Sequence, residues 1–301
     1  MQVAITGASG FLGTAIGRAL AADGHTVRPL VRRPTDDPAE IRWDPAAGHL
    51  DPDDLAGIDA VVHLAGAGIG DKRWTARRKR EILGSRTTGT ALVARTLAAM
   101  PDPPRVLLCA SGIGYYGDGG DAVLTEQSPP GDDFVARVVV AWEGAARPAV
   151  EAGVRTVFLR TAPVLDGRGG LLPRMALPFR FFVGGRLGSG RQWMSWVSLE
   201  DAVRAYRFAL EAGDLAGPVN LTAPEPVTNA EMAAAIGRAL RRPAAVPVPA
   251  ALPRLLLGRE MADLLLFVSQ RARPAVLEEA GFTFHPRDVD AALATAFGDR
   301  R

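Results

Sequence analysis

The chain has 301 residues, 48% of them hydrophobic and 23% charged, with a formal net charge of +2. A chain of this length buries roughly 75% of its unfolded surface, so one large α/β unit with a smaller appended lobe fits better than two independent domains. The near-neutral balance, with no basic run interleaved with aromatics, argues against nucleic acid as a partner.

In chain order, residues 2–6 read as a buried strand that runs straight into Gly7-Ala8-Ser9-Gly10-Phe11-Leu12-Gly13 and an Ala/Leu-rich helix over 11–22. A pyrophosphate cradle needs this order. Gly7 permits the tight turn, Gly10 lets the backbone approach the phosphates, Gly13 lets the helix pack on the strand, and the free N–H groups of the helix start face an anion. A strand starting at residue 2 leaves no leader, and the expected location is cytoplasmic.

The second strand, 26–31, ends in Arg32-Arg33-Pro34, where an NAD-specific site carries Asp or Glu for the ribose hydroxyls. Guanidinium groups there pair with a 2′-phosphate, which predicts NADP(H) over NAD. The alternative leaves both arginines exposed, with Asp36 and Asp37 as partners. Residues 41–44 form an additional strand or an ordered loop. Strands at 59–64, 105–110 and 154–160 then alternate with helices at 74–99 and 132–152. The pattern predicts an α/β Rossmann-type doubly wound parallel sheet whose strand C-termini share one edge. Arg77-Arg78-Lys79-Arg80 reads as a solvated helix face, Asp132 or Asp133 as the cap of the helix beginning at Phe134, and Cys109 as a buried strand thiol without a disulfide partner.

After Arg160 the composition turns to Gly, Pro and Arg. Loops with a short helix at 171–180 are followed by a helix at 199–211, a strand at 218–222 and a helix at 228–240. Four prolines from Pro243 to Pro253 mark an extended connector, and an apolar helical stretch at 254–268 precedes two shorter helices. The expected division is a dinucleotide domain over 1–162, to which segments near 193–222 return, and a smaller C-terminal substrate lobe over 163–301 that includes a helical region at 248–298. Apolar windows such as 252–268 are broken by charges, so no membrane partner is expected.

Five motifs carry a family resemblance: 5–13, His63-Leu64-Ala65-Gly66, Gly114-Tyr115-Tyr116-Gly117-Asp118, Gly188-Ser189-Gly190-Arg191-Gln192-Trp193 and Asn220-Leu221-Thr222-Ala223-Pro224. With them the chain resembles the extended short-chain dehydrogenase/reductase superfamily, in its NAD-dependent epimerase/dehydratase branch. The resemblance is greatest to epimerase-like proteins that end in a small domain of unknown function. It implies that Thr6, Gly7, Gly10, Phe11, Leu12 and Gly13 hold the dinucleotide, that Leu64 and Ala65 line it through backbone and packing, and that Val164 backs the nicotinamide. Arg86 takes the place of a cofactor-loop asparagine, where it holds the neighbouring loop or a phosphate.

Catalysis in the superfamily rests on a tyrosine followed four positions later by a lysine. Here the only lysines are Lys72 and Lys79, and the positions counted back from Trp142-Glu143 hold Val135 and Val139, so the pair is absent. Ser111 resembles the active-site serine, within one residue of alignment, and Tyr115 or Tyr116 is the candidate replacement acid. Arg186, Arg191, Gln192 and Trp193 lie on a glycine-rich loop that resembles the segment crossing the substrate cleft, where their donors suit a polar or sugar-like molecule. The expected function is that of an NADP(H)-dependent oxidoreductase or epimerase acting on such a small molecule. A non-catalytic NADP(H) sensor is the alternative. No metal is expected, and a homodimer is left open.

Overall fold

The computed structural model describes residues 1–298. Eight strands form the central sheet: β1 (Gln2–Thr6), β2 (Thr26–Val31), β3 (Ile41–Asp44), β4 (His49–Leu50), β5 (Ala60–His63), β6 (Val106–Gly112), β7 (Arg155–Thr161) and β8 (Gly217–Leu221). Their order across the sheet is β8-β7-β6-β5-β1-β2-β3-β4, and every pairing is parallel except the edge hairpin β3–β4. The open alternative at 41–44 thus resolves as a strand. The order reverses between β1 and β5, so a crevice opens beyond their C-termini, where doubly wound sheets take ligands.

Strand alternation divides the core in two. Val3, Ile5, Val62, Leu108 and Leu159 face α1 (Phe11–Ala22) and, further along the chain, α6 (Leu199–Glu211), through Ile16, Leu20, Ala205 and Tyr206. Ala4, Val61, Leu107 and Cys109 face α2 (Ala76–Ala99) and α4 (Arg147–Glu151), through Val93, Leu97 and Ala149. The helix expected at 132–152 is split into α3 (Phe134–Gly144) and α4, with Pro148 in the first turn of α4, where its missing N–H costs nothing. Burial pushes the Cys109 thiol pKa upward, so it is inert as a nucleophile.

A second core forms the lobe from α5 (Leu172–Arg180), α7 (Asn229–Leu240) and α11 (Val289–Gly298), packed around Trp196. Between α7 and α11 the chain forms α8 (Ala251–Leu257), α9 (Arg259–Ala262) and a π-helical turn at Asp263–Phe267, then α10 (Ala275–Glu279). The single apolar helix expected at 254–268 is broken because Gly258 sits at φ +90°, where the helix cannot continue. The tail is not wholly lobe, since Leu277 of α10, Phe282 and Phe284 pack into the core beneath the sheet. Among the described residues, no helix is long and apolar enough to cross a membrane.

Candidate functional site

The turn between β1 and α1 is closed by the Gly10 N–H donating to Gly7 O at 2.9 Å, with Gly7 at φ +69°. A Cβ on Gly13 would stand 2.2 Å from Gly7 O, so only glycine lets the helix start lie on the turn. Gly10 occupies the N-cap without a side-chain cap, which leaves the first N–H groups of α1 to an incoming anion. Phe11 is half-buried and packs against Gly169 and Gly170 of the lobe, so its ring joins the two parts of the chain across the crevice. Leu12 is also half-buried and packs on the main core, which leaves its backbone N–H as its contribution to the cradle.

Thr6 joins this turn to the end of β5. Its hydroxyl accepts from Leu64 N at 3.0 Å and Ala65 N at 3.2 Å and stands 2.8 Å from His63 Nδ1. With both N–H groups donating to the oxygen, its single proton goes to Nδ1, which leaves the imidazole proton on Nε2, buried and without a partner. Burial lowers the His63 pKa to about 4, so the ring is neutral and structural.

The loop after β5 is clamped from α2. Arg86 donates to Ala67 O at 2.9 Å and Ile82 O at 3.1 Å, and Ser85 accepts from Ala67 N at 3.0 Å. Of the two roles open to Arg86, these bonds supply the holding of the loop. Arg78 corrects the reading of its cluster as a solvated face: it is only 7% exposed, donating to Gly68 O and pairing with Glu81 at 2.8 Å. Lys79 pairs with Glu260 of the lobe and lies over the Phe134 ring. At the end of β2, Arg33 is held by Glu40 rather than by Asp36 or Asp37, and no bond to another side chain is seen for Arg32 among the described residues.

The candidate catalytic side chains meet in one polar network. Ser111 donates to Glu143 Oε1 at 2.6 Å, and Arg160 grips the same carboxylate through two bonds of 2.8 Å. Arg160 also donates to the Tyr116 hydroxyl at 3.1 Å, which donates in turn to Asn220 Oδ1 at 2.7 Å. Burial opposes the charge of Arg160, but its bonds to Glu143 and Tyr116 prevail and raise its pKa. Burial likewise raises the Tyr116 phenol against the pull of Arg160. The Tyr115 ring lies 3.4 Å from the Arg160 guanidinium carbon. Glu143 and Arg160 had no role in the sequence reading, although their network occupies both Ser111 and Tyr116.

Beyond this network, a cavity of about 910 Å³ lies between the sheet edge and the lobe. Gly114, Val135, Thr161, Ala162 and Pro163 line it on the sheet side, so Val135 presents a bare apolar wall where the superfamily acid would stand. Val164 follows this floor, its side chain buried in the core and its strand paired to Val197. Asp133 also borders the cavity, but one of its oxygens caps α3 by accepting from Ala136 N at 2.9 Å.

The glycine-rich loop does not present its donors to this space. Arg186 turns back onto Gly188 O at 2.7 Å and Ser189 O at 2.8 Å, and Gln192 is buried on Leu187 O and Leu266 O. Trp193 donates to Asp121 and stacks under Arg271, and Arg191 is exposed. The physical reason is local. A chain turning through Gly188 and Gly190 at positive φ leaves carbonyls that its own side chains satisfy. Trp196, three residues beyond Trp193, is 1% exposed in the lobe core and faces no cleft.

The model of the NAD dependent epimerase/dehydratase family matches residues 3–221, and that of a domain of unknown function, DUF1731, matches 248–296. An epimerase family protein of Mycobacterium tuberculosis is 46% identical over 295 residues, covering 98% of this chain and 97% of the relative. The crystal structure of the human epimerase family protein SDR39U1 (isoform 2) with NADPH superposes with a TM-score of 0.89 at 36% identity, covering 99% of this chain and all of that one. A structure from Corynebacterium glutamicum, described as a nucleoside-diphosphate sugar epimerase, gives 0.82 at 36% identity, with 99% of this chain aligned to 58% of that one.

Proposed function

Because the chain belongs to the NAD-dependent epimerase/dehydratase family, we propose that it is an NADP(H)-dependent oxidoreductase or epimerase. Its second ligand then occupies the cavity between sheet and lobe. The observation that carries this reading is the cavity itself, open where the floor Thr161–Pro163 meets the edge at which a dinucleotide on the 7–13 turn would end. A bound nicotinamide supplies hydride donation or acceptance. The chain supplies the cradle, the clamp on the 64–70 loop and a largely apolar space between sheet and lobe. None of the three candidate proton donors is in the cavity wall, and Ser111 and Tyr116 are committed to partners, so the reading assigns the proton to Tyr115, which adjoins the lining residue Gly114. The NADPH-bound human relative and the arginines after β2 both favour NADP(H) over NAD.

Two measurements test this. NADPH is expected to bind more than about tenfold tighter than NADH, and Arg32→Asp is expected to remove that ratio while leaving NADH affinity within about threefold. Equal or tighter binding of NADH to the unaltered protein contradicts the cofactor assignment. Turnover of NADPH with aldehydes or ketones, lost in Tyr115→Phe while NADPH still binds, is the result expected of the enzyme. The sensor reading is favoured by one observation, the valines at 135 and 139. It gains if NADPH binds tightly, no compound of the panel is reduced and no epimerisation occurs.

A further inference from the structure

We infer that the second ligand is a lipophilic molecule with a hydrocarbon body, not a nucleotide sugar; this rests on the cavity being the ligand site proposed above. The walls supplied by the lobe are apolar almost throughout, with Leu171, Met175, Phe179, Ile236, Leu265 and Val268 among them. A diphosphate placed there would lose its hydration and needs charged donors in return. The cavity offers a single charged donor, Arg174, which is largely exposed and already engaged. Arg174 donates to Gly70 O at 3.1 Å and faces Asp71 at 3.5 Å, while Asp71 and Asp133 would repel an anion.

The neutral polar residues are engaged too. Thr161 donates to Leu159 O, the Asn229 carbonyl accepts from Leu187 N, and Gln270 donates to Ile113 O and Gly117 O. The arginines expected to grip a polar substrate, Arg186 and Arg191, are not in the wall at all.

The outside of the same wall is apolar as well. Leu257 of α8 lines the cavity while Leu255 and Leu256, on the same turn, are 74% and 63% exposed. Phe181, Phe182 and Val183 are exposed on the adjoining segment, which is tied to residues 246–248 by the bonds Val246 N to Gly184 O and Val248 N to Arg186 O. Clustered exposed apolar residues of this kind mark a site of interaction. Here they lie on the two segments whose neighbouring residues, Phe179 and Leu257, line the cavity. The lobe is therefore built to receive a molecule that itself avoids water.

The test titrates the full chain, with NADPH bound, with N-phenyl-1-naphthylamine as the uncharged hydrocarbon probe and with UDP-glucose as the nucleotide sugar. Saturable binding of the probe is expected, with no measurable binding of UDP-glucose. Met175→Asn and Leu265→Gln, which place amides in the wall, are each expected to weaken the probe by about tenfold or more while NADPH binding stays within about threefold. The double variant Leu255→Gln/Leu256→Gln is expected to retain probe binding at saturation, since it alters the outside only.

UDP-glucose binding, or absence of saturable probe binding, overturns the inference even if a wall variant does not fold. Probe binding abolished by the outer double variant but not by the wall variants overturns it also, because the probe would then coat the surface. Failure of NADPH to bind in the first place is a distinct outcome that overturns the proposed function.

Discussion

Arg160→Met is expected to cost about 3–5 kcal/mol of folding stability, measured by urea unfolding, because it strands a carboxylate in the interior. Arg160 is 3% exposed and the Glu143 side chain 13%, so neither is relieved by solvent. The arginine provides two of the three donors to that carboxylate and the only one to the Tyr116 oxygen among the bonds seen. Removing it leaves Ser111 alone against a buried negative charge. The double variant Arg160→Met/Glu143→Met removes both charges, so it is expected to recover at least about 2 kcal/mol of the single variant's loss. A loss below about 1 kcal/mol in Arg160→Met would show that the network is hydrated and that Ser111 and Tyr116 are free for other work.

The second large effect is a pH dependence centred on His63. Unfolded, this histidine titrates near its ordinary 6.5, and in the fold near 4. Between those values the unfolded chain binds the extra proton, so the folded state loses stability as pH falls through this window and keeps it in full above 6.5. Between pH 7.5 and pH 4.5 the loss attributable to this residue is about 2–3 kcal/mol. His63→Asn can still accept from the Thr6 hydroxyl but does not titrate. The stability of the unaltered protein relative to this variant is therefore expected to fall by that amount across the range. A gap that stays constant means His63 is not buried as a neutral ring. Because Thr6 bonds both His63 and the start of the loop after β5, NADPH affinity is expected to hold across this window and to decline only as pH approaches 4, where the folded ring itself takes up a proton.

The cradle was legible in the sequence because local geometry dictates it. Gly7 and Gly13 are each required within one turn, Gly10 leaves the helix start open, and the alternating apolar strands announced a sheet covered on both faces. The network around Glu143 was not, because its partners come from separate elements. Ser111 lies 32 residues from Glu143, and Tyr116 lies 104 from Asn220. A glutamate near the end of a helix reads as surface until the neighbouring strand is known to present an arginine to it.

The glycine-rich loop misled for a different reason. Its donors were read as meeting a ligand, whereas the turns through Gly188 and Gly190 create carbonyl acceptors nearby that take Arg186 first. The lobe's apolar run at 254–268, with Leu264-Leu265-Leu266 in it, reads as one continuous helical stretch. The interruption at Gly258 and the π-helical turn after it hold those side chains around an open space instead.

The most direct test of the account is a crystal structure of this chain with NADPH. The expected result has the pyrophosphate over the 7–13 turn, the 2′-phosphate against Arg32 and the open face of the nicotinamide toward Val135 and the cavity. A dinucleotide bound with its nicotinamide turned away from the cavity, or with the cavity closed over by its own side chains, would contradict it.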